Sequence, residues 1–292
     1  MFRLFEIILY SLIIVCSFQY CQAQNKHALL VGISEYPSDT GWRNIHGSND
    51  VDLLKHVLKD FKITELKEDR ASYDNITRAL NTLSKSLRKG DIVYIHLSGH
   101  GQPYEDLDGD EIDGWDESFI PYDAHLYYEE NVYSGENHLT DDRLNIYLQK
   151  IRSSLGDNGI LYVAIDACHA GNSYRNTDTA VYRGTSKGFS LNNKQYIVSK
   201  ANKTNYLLQS QNGYAPIIMI EACQSTQVNT EVCINGNYYG PLSYAIYSTL
   251  QENTITKQTT WINKIIDSMR KILPSWNRQK MVIESSIPLN IL

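Results

Sequence analysis

Three shortages shape this 292-residue chain. The first is cysteine. Five occur, and two of them, Cys16 and Cys21, fall in an N-terminal stretch that reads as a removable leader. Cys168, Cys223 and Cys233 remain. An odd number in an exported chain leaves at least one thiol unpaired and supplies no disulfide framework, so the fold must rest on its own hydrophobic core. No Cys-x-x-Cys pair occurs, and His169 beside Cys168 cannot easily share one tetrahedral ion with it, which argues against zinc. The second shortage is of long apolar runs. The N-terminal run Ile7–Val15 is shorter than the ~20 residues that span a bilayer. With Arg3 before it and the small-x-small pattern Cys21-Gln22-Ala23 after it, it reads as a secretory signal over residues 1–23. The expected product begins near Gln24, has no stable membrane span and is secreted or periplasmic. The third shortage is of positive charge. A net charge of -6 argues against a general nucleic-acid binder, and from Gly90 to Asp142 there is no Lys or Arg at all.

What is present is an alternation of apolar strands and amphipathic helices. His27–Ser34 reads as a first strand. Ser48 or Asn49 then caps a helix with Leu54, Val57, Leu58 and Phe61 on one face, and Ile63–Leu66 is a short strand. Asp74 caps a second helix bearing Ile76, Leu80, Leu83 and Leu87. Thr140 caps a third, bearing Leu144, Tyr147, Leu148 and Ile151. Ile92–Gly101 and Ile160–Gly171 are apolar strands running into small and turn-forming residues, and Ile217–Ala222 is a fourth apolar strand ending in Cys223. Two more helices carry Leu242, Ala245 and Ile246, then Ile262, Ile265, Ile266, Met269 and Leu273. Residues 172–214 are polar with little periodicity and read as a long mobile excursion. There is no internal repeat. The pattern predicts one α/β domain over residues 24–292, with a mostly parallel central sheet and helices on both faces. Its ligand site belongs outside the carboxyl ends of the strands, where His100, Cys168 and Cys223 would lie.

Two of these strand ends carry chemistry. His100 stands between Gly99 and Gly101, and Cys168 lies two residues beyond Asp166. A buried cysteine is ordinarily a small core hydrophobe. This one follows its strand rather than sitting in it, and it lies between Asp166 and His169, which a plain core position would not favour. A thiol becomes nucleophilic when an imidazole takes its proton, so Cys168 and His100 form a candidate nucleophile–base pair. The backbone N–H groups of Gly101 and Cys168 are placed to face a developing oxyanion. His96, in mid-strand, reads as structural.

The Lys- and Arg-free segment contains eight carboxylates between Glu105 and Glu117. A solvated acidic loop is common on surfaces, but this one directly follows His100, and its field favours a cationic substrate or a bound cation. It is not an EF-hand. Asp106, Asp108, Asp110 and Glu117 fit template positions, but Glu111 stands where a Gly is needed for the sharp turn, and Ser-Phe-Ile-Pro-Tyr after it reads as extended.

Taken together, Leu97-Ser98-Gly99-His100-Gly101, the acidic run Asp106–Glu117, Asp166-Ala167-Cys168-His169-Ala170-Gly171 and Ala222-Cys223-Gln224-Ser225-Thr226-Gln227 resemble, in this order, the caspase-like peptidases of family C14 in clan CD. The metacaspase and bacterial caspase-family branch is nearest. The resemblance covers most of residues 27–250. It implies a caspase-like α/β fold, with Cys168 as nucleophile and His100 as base of a cysteine endopeptidase that cuts a polypeptide after Arg or Lys. It places a first specificity carboxylate on Asp166 and a later pocket position on Ser225, where the family's usual second carboxylate is missing. The dyad needs no cofactor. The resemblance adds Ca2+ as a candidate ion, with ligands falling on Asp116, Asp141 and Asp142, although Asp141 and Asp142 also suit the first turn of a helix capped by Thr140. The excursion 172–214 coincides with the place where such chains are cut between subunits, which makes Arg175, Arg183 and Lys187 candidate self-cleavage sites. Two alternatives to hydrolysis are a catalytically silent protein that binds a peptide or partner, and a transpeptidase. Retention of both dyad residues weighs against silence.

Overall fold

The alternation of buried apolar runs with helices of one apolar stripe produces a layered molecule. The computed structural model describes residues 24–109, 111, 113–168, 180–197, 206–225, 227–273 and 279–289. The leader, the candidate cut site Arg175 and Thr226 lie outside these residues. In chain order the strands are β1 (Lys26–Gly32), β2 (Lys62–Lys67), β3 (Ile92–Ser98), β4 (Gly101–Glu105), β5 (Trp115–Phe119), β6 (Leu139–Thr140), β7 (Ile160–Asp166), β8 (Tyr206–Leu207), β9 (Ile217–Glu221), β10 (Val232–Ile234), β11 (Asn237–Tyr239) and β12 (Val282–Ser285). The helices are α1 (Gly47–Lys55), α2 (Tyr73–Ser86), α3 (Asp141–Leu155), α4 (Pro241–Leu250) and α5 (Thr260–Ile272).

The main sheet has the order β2-β1-β3-β7-β9-β12-β8. Its first five strands are mutually parallel, and β12 runs antiparallel to β9. Alternate residues of each strand enter two separate cores. Leu29, Val31, Val93, Ile95, Leu161 and Val163 pack under α2 and α3, with Leu80, Leu144 and Leu148. Ala28, Leu30, Tyr94, Tyr162 and Ala164 pack under α1, α4 and α5, with Leu54, Leu242, Ile246, Ile262 and Ile265. That burial on both faces is why the strands read as near-continuous apolar runs.

Some expected boundaries move. Ser72, not Asp74, caps α2, because the Ser72 hydroxyl accepts the Asn75 N–H. Helix α1 begins at Gly47, and Ser48 spends its hydroxyl on Ser34. Thr140 caps α3 as expected. Short strands escaped the periodicity reading: β12 and the edge strand β8, the β10–β11 hairpin, and an antiparallel sheet of β4, β5 and β6 built directly after His100. The stretch 172–214 is not a uniform excursion either. Its residues 181–190 pack against the body of the molecule, with Arg183 and Phe189 buried, before the chain returns to the surface at 191–197.

The parallel register fixes where side chains emerge. Ser98 pairs with Asp166 at the carboxyl ends of β3 and β7, and both face α1 and α4. Gly47, the first residue of α1, lies so close to the sheet edge that a Cβ there would sit 2.5 Å from the carbonyl oxygens of both Ile33 and Ser98. Those neighbours are backbone and cannot swing aside. We expect Gly47→Ala to push α1 outward and to lower stability by about 1–3 kcal/mol, the usual cost of overpacking, read as a drop of several degrees in a thermal melt. An unchanged melting temperature would show that the approach of α1 is not limiting.

Candidate active site

Two extended backbones leave the sheet side by side, and the site forms where they end. His100 lies two residues beyond β3. Its ring is buried, with Trp42 stacked on it at 4.8 Å and Tyr36 tilted against it at 5.1 Å. Nε2 is 2.8 Å from the Arg43 carbonyl oxygen. A carbonyl only accepts, so Nε2 carries the proton and Nδ1 keeps its lone pair. Nδ1 is buried with no hydrogen-bond partner among the described residues. Burial pushes the imidazole down to about 4, against the opposing pull of the Arg43 carbonyl. His100 is therefore neutral at physiological pH.

Cys168 lies two residues beyond β7 and is fully buried. Its Sγ donates to the Gln227 carbonyl oxygen at 2.9 Å. Its backbone N–H and that of Gly101 converge on a single atom, the carbonyl oxygen of Arg183, at 3.0 and 3.1 Å. The chain thus threads its own peptide through the site. Val181–Arg183 runs antiparallel to Asn229–Glu231, with Arg183 N–H on Asn229 O at 3.0 Å and Glu231 N–H on Val181 O at 2.9 Å. Beyond it, the chain turns along β4, where the Phe189 N–H donates to Pro103 O and the Glu105 N–H to Phe189 O. At the crossing point, Gly184 bridges to both Gly101 and Cys168. A Cβ at Gly184 would lie 2.9 Å from the Cys168 Cβ, so only glycine fits there.

The Arg183 side chain enters a pocket between the sheet and the N-terminal ends of α1 and α4, and it is wholly buried. Nη1 donates to Asp50 Oδ2 at 2.6 Å and to Ser98 Oγ at 2.7 Å. Nε donates to Glu231 Oε1 at 3.0 Å. Nη2 lies 2.9 Å from the same oxygen, an ion-pair distance off the line of an N–H bond. Asp166 Oδ1 is farther, 3.7 Å from Nη1. Burial works against the guanidinium charge, but Asp50, Asp166 and Glu231 outweigh it and hold the group charged. Asp50 is pushed up to about 6, by burial first and by Asp166, against the pull of Arg183.

Each carboxylate is anchored. Asp166 accepts the Ser243 N–H and hydroxyl at 2.7 Å each, from the first turn of α4, and the Asn229 amide at 2.7 Å. Asp50 accepts the Gly240 N–H at 3.0 Å and the Ser98 hydroxyl at 2.6 Å. Free N–H groups at a helix start suit such charges. Because Ser243 gives its one hydroxyl proton to Asp166, it accepts from His96 Nε2 at 2.9 Å, and His96 Nδ1 in turn accepts from the Tyr94 hydroxyl at 2.8 Å. His96, pushed down to about 4 by burial, supports the pocket as a neutral strut.

Sequence reasoning missed Asp50 and Glu231. Asp50 carried a readable signal: it lies four residues before Leu54, on the inward face of α1, where an acid is costly unless paired. Ser225 takes no part in holding Arg183. The contacts of Arg183 go to Asp50, Ser98, Asp166 and Glu231. So the pocket does not lack a second carboxylate; its carboxylates come from other parts of the chain.

The acidic segment is the connection between β4 and β5. Asp106 turns inward on its own loop and accepts the N–H groups of Asp108, Gly109 and Glu111. Asp141 and Asp142 occupy the first turn of α3. Asp141 reaches the surface on one side, yet the protein packed around it, with Glu117, Asp116, Asp142 and Glu111, pushes its carboxyl up to about 7. Among the described residues, no three His, Cys, Asp or Glu side chains come together as a group able to hold a metal ion. Cys223 and Cys233 are not joined; the first is buried and the second exposed. No helix among the described residues is long and apolar enough to cross a membrane.

Comparisons with known proteins identify the family and the fold. The caspase-domain model matches residues 25–288. Metacaspase-1 of Pyricularia oryzae is 27% identical over 94% of this chain and 75% of that protein. Metacaspase-1 of Eremothecium gossypii is 27% identical over 94% of this chain and 67% of that protein. In three dimensions, a crystal structure of a Geobacter sulfurreducens protein matches with a TM-score of 0.60 at 20% identity, over 91% of this chain and 95% of that one. Caspase-1 from Spodoptera frugiperda matches with a TM-score of 0.51 at 12% identity, over 91% and 90%. These likenesses show the fold, and the family match runs almost from end to end: the chain belongs to the caspase-domain family of cysteine endopeptidases.

Proposed function

We propose that this peptidase cuts after arginine, through Cys168 and His100, and that the first bond it cuts is its own Arg183–Gly184. The observation that carries the reading is the double engagement of Arg183. Its guanidinium fills a three-carboxylate pocket, while its carbonyl oxygen accepts the two N–H groups of Gly101 and Cys168. A scissile residue would be held in this way.

The steps use groups on the page. The Cys168 thiol leaves the Gln227 carbonyl and passes its proton to His100 Nδ1. The thiolate attacks the arginine carbonyl carbon, and the oxygen gathers negative charge between the N–H groups of Gly101 and Cys168. His100 then protonates the departing amine, which breaks the peptide bond and leaves a thioester. Water, losing its proton to His100, hydrolyses the thioester and restores the thiol. Until Arg183 is displaced or cut, the chain blocks its own site. The acidic cluster at Asp141 stands outside these steps. We place the mature enzyme outside the cytoplasm, a reading supported by the leader pattern at residues 1–23.

Pocket chemistry favours arginine over lysine. Asp50 and Glu231 engage different nitrogens of a planar fork, and an ammonium offers a single point of charge. A panel of fluorogenic peptides ending in Arg, Lys, Asp or Leu tests this; turnover of the Asp peptide alone would overturn the pocket, and no turnover by any folded, reduced and cleaved enzyme would overturn the activity. Asp50→Asn takes one of three carboxylates from the buried guanidinium and lowers kcat/KM on the Arg peptide by on the order of 100-fold, whereas Ser225→Ala leaves it nearly unchanged. With arginine in the pocket Asp50 must be ionised to hold it. Turnover of Arg peptides therefore declines as pH falls through about 6.

Asp141 gives a separate prediction. Its folded pKa, about 7, lies above the ordinary carboxylate value, so its ionisation opposes folding, and the penalty grows as pH rises towards 7. Asp141→Asn raises the melting temperature at pH 8 more than at pH 5. An equal gain at both would show that charge is not the cause.

A further inference from the structure

One nucleophilic group near the site has no role in peptide hydrolysis: the thiol of Cys223. It lies two residues beyond β9, as Cys168 lies two beyond β7, and these strands are paired neighbours. The last pair in register is Ile165 with Glu221, and the Ala222 N–H still bonds to the Ile165 carbonyl. Continued past the strand ends, the register sets Cys223 beside Ala167, one residue from Cys168. The side chains close that gap. Cys223 Sγ lies 3.8 Å from the Ala167 carbonyl oxygen and 3.7 Å from that of Gln227, and Cys168 Sγ points at the same Gln227 oxygen from 2.9 Å. Two buried thiols thus share one acceptor. The neighbouring Cys168 thiol and burial push the Cys223 thiol well above its usual range, so it stays protonated. Neighbouring strands lie about 5 Å apart, within the span a disulfide bridges.

We propose that Cys223 is a resolving cysteine, and that Cys168 and Cys223 form a reversible disulfide that switches the peptidase off under peroxide and shields its nucleophile. The step balances. The Cys168 thiolate attacks one oxygen of hydrogen peroxide; a sulfur–oxygen bond forms, the oxygen–oxygen bond breaks, and hydroxide leaves. Sulfur loses two electrons to the peroxide. The Cys223 sulfur then attacks the Cys168 sulfenic acid. The sulfur–sulfur bond forms as the sulfur–oxygen bond breaks, and the departing hydroxide takes the Cys223 proton to leave as water. A dithiol reverses this by two exchange steps. Without Cys223 the sulfenic acid is open to a second peroxide, which carries it to the sulfinic acid that dithiols do not reduce. The exposed Cys233 is not part of the device.

The bond-forming part of the proposal depends on the placement of the two sulfurs and not on the arginine reading, so mass and activity are measured separately. Reduced wild-type enzyme is exposed to hydrogen peroxide, alkylated and digested. The expected product is a Cys168–Cys223 linked peptide, about 2 Da below the sum of the reduced peptides, with activity restored by dithiothreitol. Cys223→Ala and Cys223→Ser, either of which serves if the other misfolds, keep peptidase activity before oxidation. After peroxide they gain about 32 Da at Cys168 and stay inactive in dithiothreitol. A linked peptide containing Cys233, or wild-type enzyme oxidised to sulfinic acid as readily as the Cys223 variants, would overturn the proposal.

Discussion

A buried guanidinium surrounded by three carboxylates organises this molecule. Arg183, Asp50, Asp166 and Glu231 come from four separate parts of the chain, and their side chains are removed from water. Burying one charge is costly, and burying four is tolerated only where each finds partners. The helix start at α4 supplies N–H groups to Asp50 and Asp166, Ser98 bridges Asp50 to the guanidinium, and the His46 N–H and ring meet Glu231 at 2.8 and 2.5 Å. Three negative groups against one positive leave the pocket short of positive charge even with Arg183 in place. Burial first, and Asp166 beside it, hold the Asp50 carboxyl up against the pull of Arg183. Without the arginine, the pocket would be a buried cluster of acids, which is the basis of the arginine preference proposed above.

The sheet explains how so many groups meet. Parallel strands bring their carboxyl ends to one edge, and the in-register pairing of Ser98 with Asp166 makes two neighbouring strands deliver polar groups to the same side. Each strand then continues for two residues, which is enough to carry His100 and Cys168 out of the sheet while their backbones stay aligned. That short extension points the N–H groups of Gly101 and Cys168 at one oxygen. Glycines make room where backbones crowd. Gly184 passes against Cys168, and a Cβ at Gly240 would lie 2.5 Å from the Arg183 Nη1, inside the space the guanidinium needs. The same continuation along β9 brings Cys223 beside Cys168, so the cleavage and the protection from oxidation proposed above would rest on one geometry.

Much of this was readable in advance. Buried parallel strands are continuous apolar runs, and the helices show one apolar stripe each, so the central sheet and its layers follow from the residue pattern. His100, Gly101, Cys168 and Asp166 stand out because each breaks an apolar strand at its end. Asp50 did not, since an acid in a first helical turn is unremarkable until its inward position is weighed. Glu231 lies in a stretch without periodicity, and Arg183 was one of three basic residues in a polar segment, with nothing local to say that it would be buried. Short strands such as β12 are too brief to declare a period. Long-range ion pairs are not written in any window of sequence; they appear only when the fold brings the windows together.

The central claim is that Arg183 occupies the site as a substrate. Its direct measurement is the mass and N-terminal sequence of the fragments that form when purified, reduced protein is incubated alone. The account predicts one early cut that creates a new N-terminus at Gly184, and no cut in the Cys168→Ala protein. A Gly184 fragment from Cys168→Ala, or an active enzyme whose first cut falls elsewhere while Arg183–Gly184 stays intact, would contradict it.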